Sequence, residues 1–525
     1  MGHPQLFHTT STSSAIRKAI LILACLCKSA FAQPVPDSDQ ELKTATPPVW
    51  QAWGDLVANL DRALERNNVP AAALVIVDAN QSPGAQVKLK TFGSATPQTP
   101  FRLGSITKTF TSLALLHAAA ASNTPLSTPA REILVEPSAA TTYQGAETLS
   151  APQQVPAYWS NSWHKTHPVT LGRLVELSAG FGDISRAEFD SAVPIDRKEA
   201  LAIHKPGHTT HWPPGTLHSY SNLPPAFSAL AVEQMTGESF ENYLHTHVLV
   251  PLGLSTATLK PHPKLPGGYK ADGLTEIPYW HTIYPAFGGL NARPNDFARF
   301  LLKLTTDRLP PGLAAAKRYR GAMPLYQPTT TGASRVGLEI GYGAGIYGWE
   351  RHGFLFAGHG GDADGYRSRF AIVPEAKRAY FLVINTDNAG LLRRLVRRTE
   401  QFLLADLEAP QNKPGPKRDW QATPRNYNRF EDRFKGSYRR ASVRFGVSRL
   451  NSCTAAIADL NLAKTHLLWK SGTSQQVLKA EGPGIYRLEG KRLASVALVD
   501  EGGKRTVQGD LGNWLHIDDH PTCAN

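Results

Sequence analysis

The sequence predicts a mixed α/β chain, with a helix-rich middle bracketed by strands and a small β-rich tail. Residues 71–77 form a continuous apolar run of strand length, and 87–92 offer a hairpin partner across the turn Ser82-Pro83-Gly84. Strand-like patterning returns at 354–356, 367–373 and 379–384. Beyond the linker-like Gln-Asn-Lys-Pro-Gly-Pro-Lys-Arg of 411–418, short alternating segments such as 496–499 and 514–517 are broken by glycines.

At 525 residues the chain has room for two or three domains, and 41% apolar with 19% charged residues is an ordinary globular composition. Residues 1–32 read as a signal peptide: Arg17 and Lys18 precede an apolar run, and Ala30-Phe31-Ala32 offers small residues for cleavage. That run is too short to span a bilayer, and no later segment is long and apolar enough. The expectation is export to the periplasm or medium. The domains then read as 33–410, a linker at 411–419, and a β-rich domain at 420–525. Cys453 and Cys523 remain after the signal, either bridged within the tail or as two unpaired thiols.

The formal charge of +13 falls to +10 without Arg17, Lys18 and Lys28. Between 393 and 449, fifteen basic residues face six acidic ones. That stretch is either a contact for an anionic cell-envelope surface or a solvated face that aids solubility. Nucleic acid is not an expected partner, since no binding motif accompanies the charge.

Within the main domain, 50–68 reads as an amphipathic helix carrying Trp53, Leu56, Val57, Leu60 and Leu64 on one side. Ser105 opens the next, with a buried stripe of Ile106, Phe110, Leu113, Ala114 and His117. Residues 137–168 read as a long loop, followed by helices near 170–178 and 226–235.

Chemistry concentrates in three patches: Ser105-Ile106-Thr107-Lys108, Tyr220-Ser221-Asn222 and His359-Gly360-Gly361. Serine and lysine three apart share a face only on a helix. A second Ser-x-x-Lys, at Ser162-Trp163-His164-Lys165, lies in the polar loop and lacks that context. At a helix start the serine meets unsatisfied N–H groups, which favour developing negative charge. A serine hydroxyl needs a neighbouring base, and Lys108 is placed to be one once burial lowers its pKa from about 10.4. Ser105 as a cap and Lys108 as a solvated residue is the plainer alternative.

Phe101-Arg102-Leu103-Gly104-Ser105-Ile106-Thr107-Lys108 resembles the nucleophile segment of the serine β-lactamase and penicillin-binding protein superfamily. The resemblance is to its class C-like branch of esterases, D-aminopeptidases and D-Ala carboxypeptidases. Trp212-Pro213-Pro214-Gly215 with Tyr220-Ser221-Asn222 resembles the second motif of that branch, and His359-Gly360-Gly361 the third. Pro251-Leu252-Gly253-Leu254 and Phe287-Gly288-Gly289-Leu290 with Asp296 are further matches, over about 50–400 in all.

This resemblance implies an antiparallel sheet flanked by helices, an all-helical subdomain, and a site at their junction. It implies an acyl-enzyme at Ser105, with Tyr220 as acid or base beside Lys108. Asn222 would hold the substrate amide or the lysine head, and His359 and Gly361 would line the substrate site. The N–H groups of Ser105 and Asp362 would form the oxyanion hole. The third motif departs from Lys-Thr-Gly, and Leu177-Ser178-Ala179-Gly180 departs from His-Thr-Ser-Gly. The expected substrate is therefore a small-molecule ester, peptide or β-lactam-like compound, with esters and D-amino-acid peptides favoured over efficient β-lactam hydrolysis, and no cofactor is expected. The reading from another class is a non-catalytic envelope-binding protein on the same fold.

Trp159, Trp163 and Trp212 either wall the substrate cleft or pack in the core. Gly343-Ala344-Gly345-Ile346-Tyr347-Gly348 matches a dinucleotide fingerprint in letters but precedes no helix. His204, His208 and His211 lie in a broken loop without an evident carboxylate, so no metal site is expected. No Gly-x-Ser-x-Gly elbow occurs, which argues against an α/β-hydrolase.

Overall fold

The structure, a computed structural model, describes residues 52–134, 158–318, 324–410, 431–441, 457–462 and 466–519. The signal segment, the 411–418 linker, most of the 137–168 loop, Cys453 and Cys523 lie outside them.

Six antiparallel strands make the central sheet: β1 (Ala71–Asp78), β2 (Val87–Gly93), β3 (Tyr347–Arg351), β4 (Phe354–Ala363), β5 (Tyr366–Val373) and β6 (Arg378–Ile384). Their order is β2-β1-β6-β5-β4-β3, so the first strand of the domain pairs with the last, Leu74 opposite Leu382. The unbroken apolar run of β1 follows from burial on both faces. Ala72, Leu74 and Ile76 pack with Leu60 of α1 (Trp53–Glu65). Ala73, Val75 and Val77 belong to the opposite core, with Phe110 and Phe297.

On that second side lie α2 (Thr107–Ala121), α3 (Leu223–Thr236) and α4 (Pro294–Thr305), while α5 (Ala389–Leu404) joins α1 across the sheet. The single buried stripe expected for α2 is too narrow, because Thr107 to Leu116 are all buried. Its polar residues tolerate this because their hydroxyls are bonded: Thr109 Oγ1 donates to Gly345 O at 2.6 Å and Thr111 Oγ1 to Ala286 O at 2.7 Å. Ser162–Lys165 sits in a turn instead. The glycines of 343–348 run into β3, not into a helix.

The tail forms a closed barrel of eight strands: β7 (Gly436–Arg440), β8 (Ile457–Leu462), β9 (Leu467–Ser471), β10 (Ser474–Gly482), β11 (Ile485–Leu488), β12 (Ala494–Glu501), β13 (Lys504–Gly509) and β14 (Trp514–His516). Tyr438, Trp469, Leu478, Tyr486, Leu498 and Trp514 pack together as its core. Among the described residues the barrel touches the main domain at several places. Ala441 and Leu515 cover Trp212 and Leu217, and Ala497 and Val499 cover Ala333 and Leu338. The Glu350 carboxylate on β3 accepts the Arg492 N–H at 2.7 Å.

Of the two readings of the tryptophans, packing prevails for two. Trp159 is buried against Phe181 and Phe227, and Trp212 lies under the barrel. Trp163 faces the Lys504 ammonium at 6.0 Å.

Candidate active site

Ser105 occupies the 3-10 turn Gly104–Ile106, which runs directly into α2. Two glycines bring this turn against β4. Gly104 adopts φ +56°, and a Cβ there would come within 2.7 Å of Asp362 N. A Cβ on Gly361 would lie 1.9 Å from Leu103 O and 2.1 Å from Ser368 Oγ. Backbone therefore meets backbone, as no side-chain-bearing residue permits. Ser368 Oγ donates to Leu103 O at 2.8 Å, and Thr107 Oγ1 to Gly104 O at 2.7 Å. Pairing of β3 with β4 stops at Tyr347↔Gly358, while β5 stays paired with β4 as far as Ala363, so past Gly358 the other edge of β4 is left for the Ser105 turn.

Lys108, one turn along α2, is 1% exposed and has its ammonium in the middle of the cluster. Nζ lies 3.0 Å from Ser105 Oγ, 2.7 Å from Asn222 Oδ1 and 2.9 Å from Phe287 O. The Tyr220 ring centroid is 5.0 Å from the same Nζ, and the Phe287 ring 5.3 Å. Asn222 is buried and held from behind by Asp183, whose carboxylate accepts its backbone N–H at 2.8 Å and its Nδ2–H at 3.3 Å. These bonds orient the amide with its oxygen toward the lysine. Ser219 Oγ donates to Phe181 O at 3.0 Å and Ser221 Oγ to Gly182 O at 2.7 Å, which anchors the turn on both sides of Tyr220.

His359 lies on β4 and is buried, with its ring 6.4 Å from that of Tyr220. Nδ1 is 2.6 Å from Gly360 O and must donate to it, so Nε2 accepts from Tyr342 Oη at 3.2 Å. Burial, and then the Lys108 charge, push the imidazole pKa down to about 3, so the ring is neutral at physiological pH. Burial likewise lifts the Tyr342 phenol well above its ordinary value and keeps it a donor. Asp362 is half-buried and forms an ion pair with Arg367.

The structure thus gathers Ser105, Lys108, Tyr220, Asn222, His359, Gly361 and Asp362 into one place. Asp183 and Tyr342 join them without having been singled out from the sequence, and so does the carbonyl of Phe287, a residue the sequence marks only as part of a matching motif. Asp296 is elsewhere, accepting Thr256 N–H at 3.2 Å near the start of α4. The sequence reading saw no carboxylate near the loop histidines, but Glu188 lies 2.7 Å from His208 Nε2, with Tyr284 Oη at 3.2 Å from the same oxygen. That buried pair links two segments of the helical subdomain.

An antiparallel sheet between helix layers, with serine, lysine and tyrosine meeting at the end of a glycine-bearing strand, defines the serine β-lactamase and penicillin-binding protein superfamily. The beta-lactamase family profile matches residues 56–404, and the chain belongs to that family of hydrolases. Among solved structures, the octameric penicillin-binding protein homologue from Pyrococcus abyssi is similar at a TM-score of 0.52 and 17% identity, covering 88% of this chain and 99% of that one. SurE is similar at 0.53 and 17%, covering 90% and 100%, and SurE with D-Leu at 0.51 and 16%, covering 88% and 99%. These likenesses extend the shared fold into the barrel. A comparison with curated proteins finds no match.

Proposed function

We propose that the chain is an exported serine hydrolase that forms an acyl-enzyme at Ser105 and cleaves small esters or D-amino-acid amides. The observation that carries this reading is the set of three contacts at Lys108 Nζ. Asn222 Oδ1 and Phe287 O are acceptors only, and they account for two N–H donors. When it gives up its third proton, the amine has one lone pair left, within reach of the Ser105 hydroxyl 3.0 Å away. That is the hydrogen-bond inventory of a general base.

In acylation the Ser105 hydroxyl proton passes to Lys108 Nζ as Oγ bonds to the acyl carbon. The N–H groups of Ser105 and Asp362 receive the oxyanion. Tyr220 gives a proton to the leaving alkoxide or amine as its bond to the acyl carbon breaks, and stays as phenolate beside the protonated Lys108. In deacylation the Tyr220 phenolate takes a proton from water. The hydroxide attacks, the acyl–Oγ bond breaks, and Lys108 returns its proton to Oγ, which leaves tyrosine and lysine as they began.

Both ring nitrogens of His359 are engaged within the protein, and the third motif has no cationic side chain to anchor a substrate carboxylate. This favours esters and amides over β-lactams. The similar fold of SurE, solved with D-Leu, makes D-amino-acid amides a natural part of the test panel. A fluorophosphonate probe is expected to label the wild type and not Ser105→Ala. Nitrophenyl esters and D-alanyl amides should be hydrolysed faster than nitrocefin. Equal labelling of both proteins would sink the assignment. Absent turnover with cell-wall binding that survives Ser105→Ala would install the binding-protein reading in its place.

A further inference from the structure

We propose that Gln508, on barrel strand β13, is a positioning residue for Tyr220, so that the barrel is a working part of the catalytic apparatus. The inference rests on the role given to Tyr220 above.

Gln508 is 2% exposed, in the seam between the domains. Its Nε2 donates to Thr216 O at 3.0 Å and to Thr506 Oγ1 at 2.9 Å, while its Oε1 accepts Ala333 N–H at 3.2 Å. Thr216 O also accepts Gly332 N–H at 2.9 Å. The packing leaves no slack there, since a Cβ on Gly332 would lie 2.7 Å from Thr216 O and 2.8 Å from Val499 Cγ1. Three strands of chain therefore meet at one amide: the segment leading to Tyr220, the short helix Gly332–Arg335, and the barrel. Arg335 adds a bond to Gly215 O at 2.9 Å and an ion pair with Glu501 of the barrel. Trp212 and Leu217 complete the contact by packing on Ala441 and Leu515.

From Thr216 to Tyr220 the chain has little freedom to absorb a shift. Leu217 is buried in the seam. The next residue, His218, stacks on Tyr342 with ring centroids 4.7 Å apart, and Tyr220 stands edge-on to the same Tyr342 at 6.3 Å. Moving the Thr216 carbonyl moves His218 against Tyr342 and carries Tyr220 away from Lys108. Only a side chain with both a donor and an acceptor satisfies Thr216 O and Ala333 N–H together. Methionine supplies neither, and glutamate loses the donor. The barrel has its own core, so removing this amide leaves that core intact.

The test compares Gln508→Met and Gln508→Glu with Arg492→Lys. Arg492 bonds Gly353 O at 2.7 Å and Glu375 at 2.5 Å, in a part of the seam that does not lead to Tyr220. Melting temperature, kcat and KM for a nitrophenyl ester, fluorophosphonate labelling and hydrogen exchange are read on the full chain. Gln508→Met is expected to lower kcat about tenfold with KM within about twofold, as a sub-ångström displacement does. Labelling of Ser105 should stay near the wild-type rate, acyl-enzyme should accumulate by intact mass, and amides of 212–222 should exchange faster. Gln508→Glu, which keeps one bond, should repeat the pattern if the methionine variant does not fold. Arg492→Lys should lower the melting temperature and leave kcat and exchange at 212–222 unchanged. A Gln508→Met enzyme with wild-type kcat and exchange, or one whose labelling falls in step with kcat, overturns the proposal. A wild type that never labels at Ser105 overturns the catalytic reading instead, and the exchange comparison then still decides the clamp.

Discussion

Asp183 grips Asn222 at two atoms, main-chain N–H at 2.8 Å and side-chain Nδ2 at 3.3 Å, and so presents Asn222 Oδ1 to Lys108. Asp183→Asn offers the same shape with one acceptor replaced by a donor. The Asn222 amide then has reason to rotate and turn its NH2 toward Nζ. We expect kcat to fall about 10- to 100-fold with KM little changed, the result of a misplaced base rather than a lost binding contact. Steady-state kinetics on a nitrophenyl ester check it, and an unchanged kcat would remove Asp183 from the machinery.

Lys108→Met keeps the volume of the buried side chain and deletes its nitrogen. Acylation should slow by about 10²–10⁴-fold, the usual worth of general-base help. Stopped-flow labelling with a fluorophosphonate reads the step directly.

The two third-motif glycines make opposite predictions. A Cβ on Gly361 would lie 1.9 Å from Leu103 O, so Gly361→Ala must push β4 off the Ser105 turn. Activity should be lost, at a cost of about 1–3 kcal/mol in stability. The nearest atom to a Cβ on Gly360 is Arg369 Nη1 at 3.2 Å, the end of a long side chain. Gly360→Ala should therefore retain most activity and melt within a few degrees of the wild type. Equal damage from both would show that the close approach is not what the motif preserves.

The depressed His359 sets an acid limit. Its pKa is about 3 in the fold against about 6.5 in an unfolded chain, so between those values the unfolded state holds more protons. Stability is fully present above about pH 6.5 and is lost as pH falls toward 3, at up to about 1.4 kcal/mol per pH unit from this group. Burial holds His218 down to about 4, and it adds a similar slope over a narrower window. Urea midpoints from pH 7 to 4 should fall, and His359→Gln should flatten the curve.

Much of this was legible in the residues. The Ser105–Lys108 spacing needed only a helix, and the helix is there. Tyr220, Asn222 and His359 came through resemblance, and the fold brings them together. Asp183 was hidden because it stands 39 positions from Asn222 with no periodic relation to it. Phe287 contributes a main-chain oxygen, for which its side chain is no signal. Only the first residues of β4 read as a strand, because Ala-Gly-His-Gly-Gly-Asp-Ala lacks branched and aromatic residues. It is extended because its neighbours, β5 and the Ser105 turn, approach it so closely that they require bare backbone. The burial of α2 on every side escaped a pattern search that treats threonine as polar, since its hydroxyls are consumed by neighbouring carbonyls.

The seam at Thr216 also bears on when the molecule becomes itself. Gln508 is 292 residues downstream of the carbonyl it holds, and Leu515, which covers Trp212, belongs to the strand that closes the barrel. Contacts so distant in the chain form late and slowly. Under the roles proposed above, the helix that follows Ser105 can form while the turn that carries Tyr220 still waits for strand β14 to be synthesised, and acyl transfer would begin only once that strand is in place.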